Sequence, residues 1–243
     1  MVHNPSLVGI YGKLPAHGDF IHRNLPSDFI NLWDEWMQHF IAGSREQMGD
    51  SWLDIYLTSP IWRFVFSPGV IDGHCWAGIL MPSVDRVGRY FPLSIVAKFD
   101  AGINPLNIMA QHRDWFETME DLALKALESE SSVDELMQDV QGTGLELNPD
   151  YSRSINNQDS SSRVTGIKPV DDNLLAPYSC MLDSLLADSH VSYSAWSTTG
   201  SERVEPCLFT TQGLPPLHGL TAMLDGQWIQ WNWKQPYNLK TKT

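Results

Sequence analysis

The chain has 243 residues, 42% of them hydrophobic and 11% aromatic, with ten tryptophans and a formal net charge of −13. That supports one domain with a sizeable core, while an electrostatic field of this sign repels phosphate backbones and anionic bilayers, so neither nucleic acid nor membrane insertion is expected. The charge is uneven: residues 1–100 hold 7 Lys and Arg against 10 Asp and Glu, and residues 101–243 hold 9 against 19.

Leu7 to Tyr11 reads as a short strand, followed by a glycine- and proline-containing loop, Gly12–Asp19. From Ser27 to about Gln47, Phe29, Trp33, Trp36, Met37 and Phe40 recur at three- and four-residue spacing. Asp34, Glu35, Gln38 and His39 occupy the other side, as in a helix with one buried face. Three strands follow, at Ile61–Phe66, Cys75–Met81 and Leu93–Phe99. The latter two are apolar at nearly every position, so both faces of the sheet must be covered by helices. The links Ser67–Gly73 and Pro82–Tyr90 are shorter than the roughly twelve residues of a parallel crossover, which predicts an antiparallel meander.

A helix over Gln111–Glu128 turns Trp115, Phe116, Met119, Leu122, Ala126 and Leu127 inward. Ser132 and Glu135 have the spacing of a capping box, opening a short helix that ends near Val140. Residues 141–172, rich in Ser, Asn, Asp and Gly, read as a mobile surface insertion. A helix over Leu174–Asp188, a strand around Tyr193–Ser197 and a final strand through Trp228, Trp231 and Trp233 complete a single domain of residues 1–235, with a flexible tail at 236–243. Several of the ten tryptophan rings must help build the core, and any left outside would suit an interface.

Cys75, Cys180 and Cys207 are widely spaced and odd in number, without a CxxC pair, so neither a disulfide framework nor a zinc ribbon is expected. No run approaches the roughly 18 apolar residues of a membrane helix, and no leader pattern opens the chain; the expected location is the cytoplasm.

Two polar clusters fall in loops, where a rigid scaffold commonly holds binding residues. The first holds Lys13, His17 and Asp19, with Arg23 just beyond; the second holds Asp85, Arg86 and Arg89. Gly12-Lys13 is followed by Leu14-Pro15 and not by Ser or Thr, so this is not a phosphate loop. His17, Asp19 and His22 match no familiar metal spacing, and no serine lies in a nucleophile elbow. No cofactor is expected, and the chain is not expected to be an enzyme.

The Asp85/Arg86/Arg89 cluster has two readings. In one, Arg–carboxylate pairs pin the loop, with Asp19 as a candidate anchor; in the other, the arginine forks recognise a carboxylate or phosphorylated side chain. Arg63, between Trp62 and Phe64, reads as a paired structural residue. Asp114–Asp139 carries nine carboxylates and one lysine. It is a solvated face whose like-charge pairs (Glu117 with Glu120 and with Asp121) are mildly costly, or a docking face for a basic partner.

Gly12-Lys13-Leu14-Pro15, Gly18-Asp19-Phe20 with Arg23, Pro60-Ile61-Trp62-Arg63-Phe64 and the block Pro82–Leu93 resemble the ImpM/TagF family associated with type VI secretion. The resemblance is strong over about residues 6–99. Beyond them it rests on Trp196 with Gly200 and on Gly213-Leu214-Pro215. It implies an α/β fold, a three-layer α/β/α sandwich with a largely antiparallel meander sheet akin to longin and SNARE-like domains. It also implies an accessory, post-translational negative regulator that sequesters a forkhead-associated scaffold protein of the secretion machinery. Some relatives carry a serine/threonine phosphatase; this chain is short for one and lacks its acidic motifs, so that activity is not expected. Two alternatives stand beside this reading: a small-ligand binder or enzyme built on Lys13, Asp19, Arg23, Asp85 and Arg89, and a structural subunit of the secretion apparatus.

Overall fold

The computed structural model describes residues 5–128, 131–145, 147 and 175–237. Strands β1 (Leu7–Gly12) and β2 (Ile21–Arg23) form a hairpin, followed by helices α1 (Ser27–Met48) and α2 (Trp52–Leu57). Strands β3 (Trp62–Phe66), β4 (Cys75–Met81) and β5 (Leu93–Phe99) are the predicted up-and-down meander. Helices α3 (Pro105–Gln111), α4 (Arg113–Glu128), α5 (Val133–Gly142) and α6 (Leu175–Ser189) follow, then strands β6 (Tyr193–Thr198) and β7 (Cys207–Gln212) and a short α7 (Ala222–Asp225). The seven strands make one sheet in the order β2-β1-β5-β4-β3-β6-β7, every neighbour antiparallel.

Strand alternation decides which side chains meet which helices. Trp62, Phe64 and Phe66 join the core under α1, with Phe29, Trp33, Trp36, Met37 and Phe40 of that helix. Val65 and its counterparts Ile79 and Ile95 face the opposite core, filled by α3, α4 and α5. This is the three-layer α/β fold, with both faces of the sheet covered by helices.

Several elements differ from expectation. Trp228, Trp231 and Trp233 do not lie on a strand: the Trp233 N–H returns to the Trp228 carbonyl at 2.8 Å, and Asn232 sits at φ +64°. Their spacing of three then two matches no strand period, and the ring-filled turn caps the aromatic core instead. The last strand is β7, whose half-exposed edge position weakens its hydrophobic pattern. The helix expected over Gln111–Glu128 is α4, which starts two residues later at Arg113; the unexpected α3 precedes it, capped by Asn104 with Pro105 in its first turn, and the chain breaks between the two at His112. None of the ten tryptophans is fully exposed: eight are buried, and Trp231 and Trp233 are partly so. Of the expected insertion, Gln141 and Gly142 extend α5 and Leu145 and Leu147 are buried in the core; residue 146 and residues 148–172 lie outside the described residues. Of the expected tail, Pro236 and Tyr237 are described and residues 238–243 are not.

Candidate functional site

The two charged loops emerge at the same end of the sheet because β1 pairs with β5, Tyr11 opposite Ser94. Gly12 makes the close approach possible. It sits at φ +136°, and a Cβ there would stand 2.1 Å from the Pro92 carbonyl oxygen, so a side chain has no room.

Asp85 is the hub between the loops. Its buried carboxylate accepts four hydrogen bonds: on Oδ2 from Lys13 Nζ at 2.8 Å and Arg89 Nε at 2.7 Å, on Oδ1 from the N–H groups of Val87 at 3.0 Å and Arg89 at 2.9 Å. A carboxylate offers about four lone-pair sites, so none remains for a ligand. Burial alone would raise the Asp85 pKa. The Lys13 ammonium, the Arg89 guanidinium and the two amides outweigh it and hold the carboxyl well below its usual range. Lys13 is itself buried, its ammonium 4.7 Å from the centroid of the Phe20 ring.

Backbone contacts complete the junction. Ser83 Oγ donates to the Lys13 carbonyl at 2.7 Å, and the Arg86 N–H to the His17 carbonyl at 2.9 Å. Arg89 also donates to the Gly18 carbonyl. Tyr56 on α2 clamps Ser83, its hydroxyl accepting from the Ser83 N–H at 2.9 Å and donating to the Ser83 carbonyl at 3.0 Å. His17 reaches the other layer, where its Nε2 accepts the Val133 N–H at 3.2 Å in the first turn of α5.

Lys13, His17, Asp85, Arg86 and Arg89 are therefore one assembly. Arg23 stands at its flank, its Nε 3.4 Å from Asp134 Oδ1 with both side chains largely exposed. Asp19 takes no part in the ionic hub: it is exposed and, among the described residues, accepts the N–H of Phe20 at 2.8 Å. The anchor of the arginine loop is Asp85, within the loop itself, and not Asp19. The sequence carried no signal for Tyr56, whose role depends on a contact 27 residues away. Exposed around the hub are Phe20, Val87, Arg86 and the outer part of Arg89.

Arg63 is paired, as read from its neighbours. Its Nε and terminal nitrogen donate to the two carboxylate oxygens of Glu120 at 2.6 and 2.8 Å, and Glu117 approaches to 4.0 Å. Glu117 in turn accepts from Arg113 at 2.5 Å, so the like charges expected on one face of α4 are divided between two cations. Two surface hollows lie away from the loops. One of about 340 Å³ lies between α4 and α5, and one of about 400 Å³ between α1 and residues 214–217. Among the described residues no three His, Cys, Asp or Glu side chains stand close enough to hold a metal ion, and no helix is long and apolar enough to cross a membrane.

Residues 9–143 match the family model of the TagF N-terminal domain, described as type VI secretion system-associated. Among solved structures, the chain is similar to the crystal structure of PA0076 from Pseudomonas aeruginosa PAO1. The two are 32% identical with a TM-score of 0.79, over 97% of this chain and 99% of that one. No curated protein matches.

Proposed function

The chain belongs to the type VI secretion system-associated TagF family, and from that premise we propose that it is a regulator acting in the cytoplasm, which represses secretion by binding a forkhead-associated scaffold protein of the machinery and catalyses no reaction. The observation that carries this reading is the saturated Asp85 hub. Its four acceptor positions are used internally, so the ionic cluster stiffens a surface and leaves the Asp85 carboxylate no lone pair for chemistry. What faces outward is a mixture suited to a protein contact: apolar Phe20 and Val87 beside the guanidinium groups of Arg86 and Arg89.

The ligand-binding or enzymatic alternative needs Lys13 and Asp85 available, and both are buried in each other's company. Co-purification of the full chain with the forkhead-associated protein tests the proposal. A complex is expected at micromolar concentration, weakened about tenfold or more by Arg86→Glu with Val87→Asp, while the melting temperature moves by no more than about 2 °C. No complex with the parent chain, together with secretion unchanged on deletion or overproduction, rejects it. A fixed stoichiometry in the assembled apparatus, with secretion lost on deletion, favours the structural-subunit alternative instead.

A further inference from the structure

Helix α6 is inside out. Tyr178, Leu182 and Leu185, spaced four and three apart, form one stripe and are 64%, 41% and 51% exposed. The residues turned inward include Ser179 and Asp183, both buried. These polar groups are satisfied: Ser179 Oγ donates to Asn107 Oδ1 at 3.3 Å, and the Tyr193 hydroxyl donates to Asp183 Oδ1 at 2.5 Å. Asn104 Nδ2 also lies 3.4 Å from Cys180 Sγ. The helix is held to α3 and β6 through hydrogen bonds as well as through Leu186, and the stripe of Tyr178, Leu182 and Leu185 is left over. An amphipathic helix anchored only within its own chain shows the opposite arrangement.

Charge says what fits that stripe. Residues 105–142 and 175–189, which span α3 to α6, contain two Lys and Arg against eleven Asp and Glu. Both cations are already engaged, Arg113 by Glu117 and Lys125 by Asp139, and Arg63 of β3 and Arg23 of β2 reach Glu120 and Asp134, which still leaves an excess of seven carboxylates in the sequence of this layer. A second copy would bring the same acidic layer against this one, and nucleic acid or an anionic membrane would be repelled in the same way. We propose that the outer face of α6 is a docking surface for an amphipathic, basic helix of a partner protein. The partner's apolar residues seat on Tyr178, Leu182 and Leu185, and its flanking Lys and Arg face the carboxylates of the α3–α6 layer. This rests on the reading that the protein works by binding, and it adds a contact that shares no residue with the charged loops.

The test uses the full chain and a synthetic peptide of about 18 residues, five helical turns of Leu and Lys with Leu at three- and four-residue spacing. A twin peptide carries Glu in place of Lys. The expected result, by fluorescence anisotropy, is micromolar binding of the Lys peptide that weakens about tenfold between about 0.05 and 0.3 M salt. The Glu twin should not bind. Leu182→Glu with Leu185→Glu should weaken the Lys peptide about tenfold more, although the added charge alone would tighten it.

Undiminished binding by that variant, or equal binding of the two peptides, overturns the proposal. So does a large fall in the variant's melting temperature, which would mean the stripe is covered within the chain, or a dimer of the parent that the variant dissociates. Because the peptide assay does not use the forkhead-associated protein, failure of that partnership leaves this result interpretable. Peptide binding without scaffold binding rejects only the named partner.

Discussion

On one face of the sheet the core is largely rings; on the other, aliphatic side chains outnumber the rings of Phe99, Trp115, Phe116 and Tyr193 and are laid around an ion pair and hydroxyls. Trp33 lies at the centre of the first, its ring centroid 5.1 Å from those of Trp36 and Phe64, 5.6 Å from Phe66 and 5.8 Å from Phe29. Its indole N–H donates to Ser94 Oγ at 2.9 Å, Trp62 donates to the Met223 carbonyl at 3.0 Å and Trp196 to Ser194 Oγ at 2.8 Å. The second face buries Arg63 with Glu120, Ser179 with Asn107 and Asp183 with Tyr193. The contrast teaches where stability and outward contact reside. The aromatic face gathers its rings around one helix most of whose polar residues, Ser44 apart, face away, whereas the second face spends polar groups inward and leaves apolar ones outside on α6.

If that contrast holds, the aromatic face is the costlier one to damage. Trp33→Ala deletes the ring at its centre and should cost about 3–5 kcal/mol through lost contacts and the cavity left behind. Urea denaturation with an unchanged slope measures it. A loss below about 2 kcal/mol would mean the surrounding rings collapse into the space, and the face is less tightly fitted than its geometry indicates.

The second face should break at its ion pair. Arg63 and Glu120 have side-chain exposures of only 9% and 15%, so Glu120→Ala strands a guanidinium in the core. Removing one partner of a buried pair costs about 3–5 kcal/mol; partial solvent access and Glu117 at 4.0 Å reduce the expected loss here to about 2 kcal/mol. The double replacement Arg63→Met with Glu120→Leu should recover most of it, since well-packed apolar groups substitute for a buried pair. Failure to recover would show that the pair also fixes the position of α4 on the sheet.

The same contrast explains how much could be read in advance. The meander β3–β4–β5 was legible because strands of which β4 and β5 are apolar at nearly every position, joined by short links, allow few other arrangements. The helix α1 was legible for its period alone. The loop residues Lys13, Asp85, Arg86 and Arg89 could be singled out, but not their wiring: Lys13 and Asp85 are 72 residues apart, and only the pairing of β1 with β5 brings them together. Arg63 and Glu120 are 57 apart, so a partner for Arg63 could be expected and not named. Helix α6 was placed within one residue at each end, yet its inverted faces were invisible, because buried Asp183 reads as a surface residue until Tyr193 is found beside it. Trp228–Trp233 misled for the converse reason: bulky rings have strand propensity, and here they fill a turn.

The smallest effect sharpens the comparison by asking whether the second face also depends on its helix ends. Ser132 Oγ accepts the Glu135 N–H at 3.3 Å, completing the capping box of α5. The neighbouring Val133 N–H is served separately by His17 Nε2 at 3.2 Å. Ser132→Ala should therefore cost about 1 kcal/mol, the ordinary worth of an N-cap, and Ser132→Thr should restore most of it, because its hydroxyl accepts the same N–H and still donates to the Glu135 carboxylate, as the serine does at 2.8 Å. His17→Ala combined with Ser132→Ala should exceed the sum of the two by about 0.5 kcal/mol or more, since the first turn then loses both of these acceptors at once. Strict additivity would mean that the His17 contact joins the charged loop to α5 without supporting the helix, and the loop end and the second face would then be energetically separate.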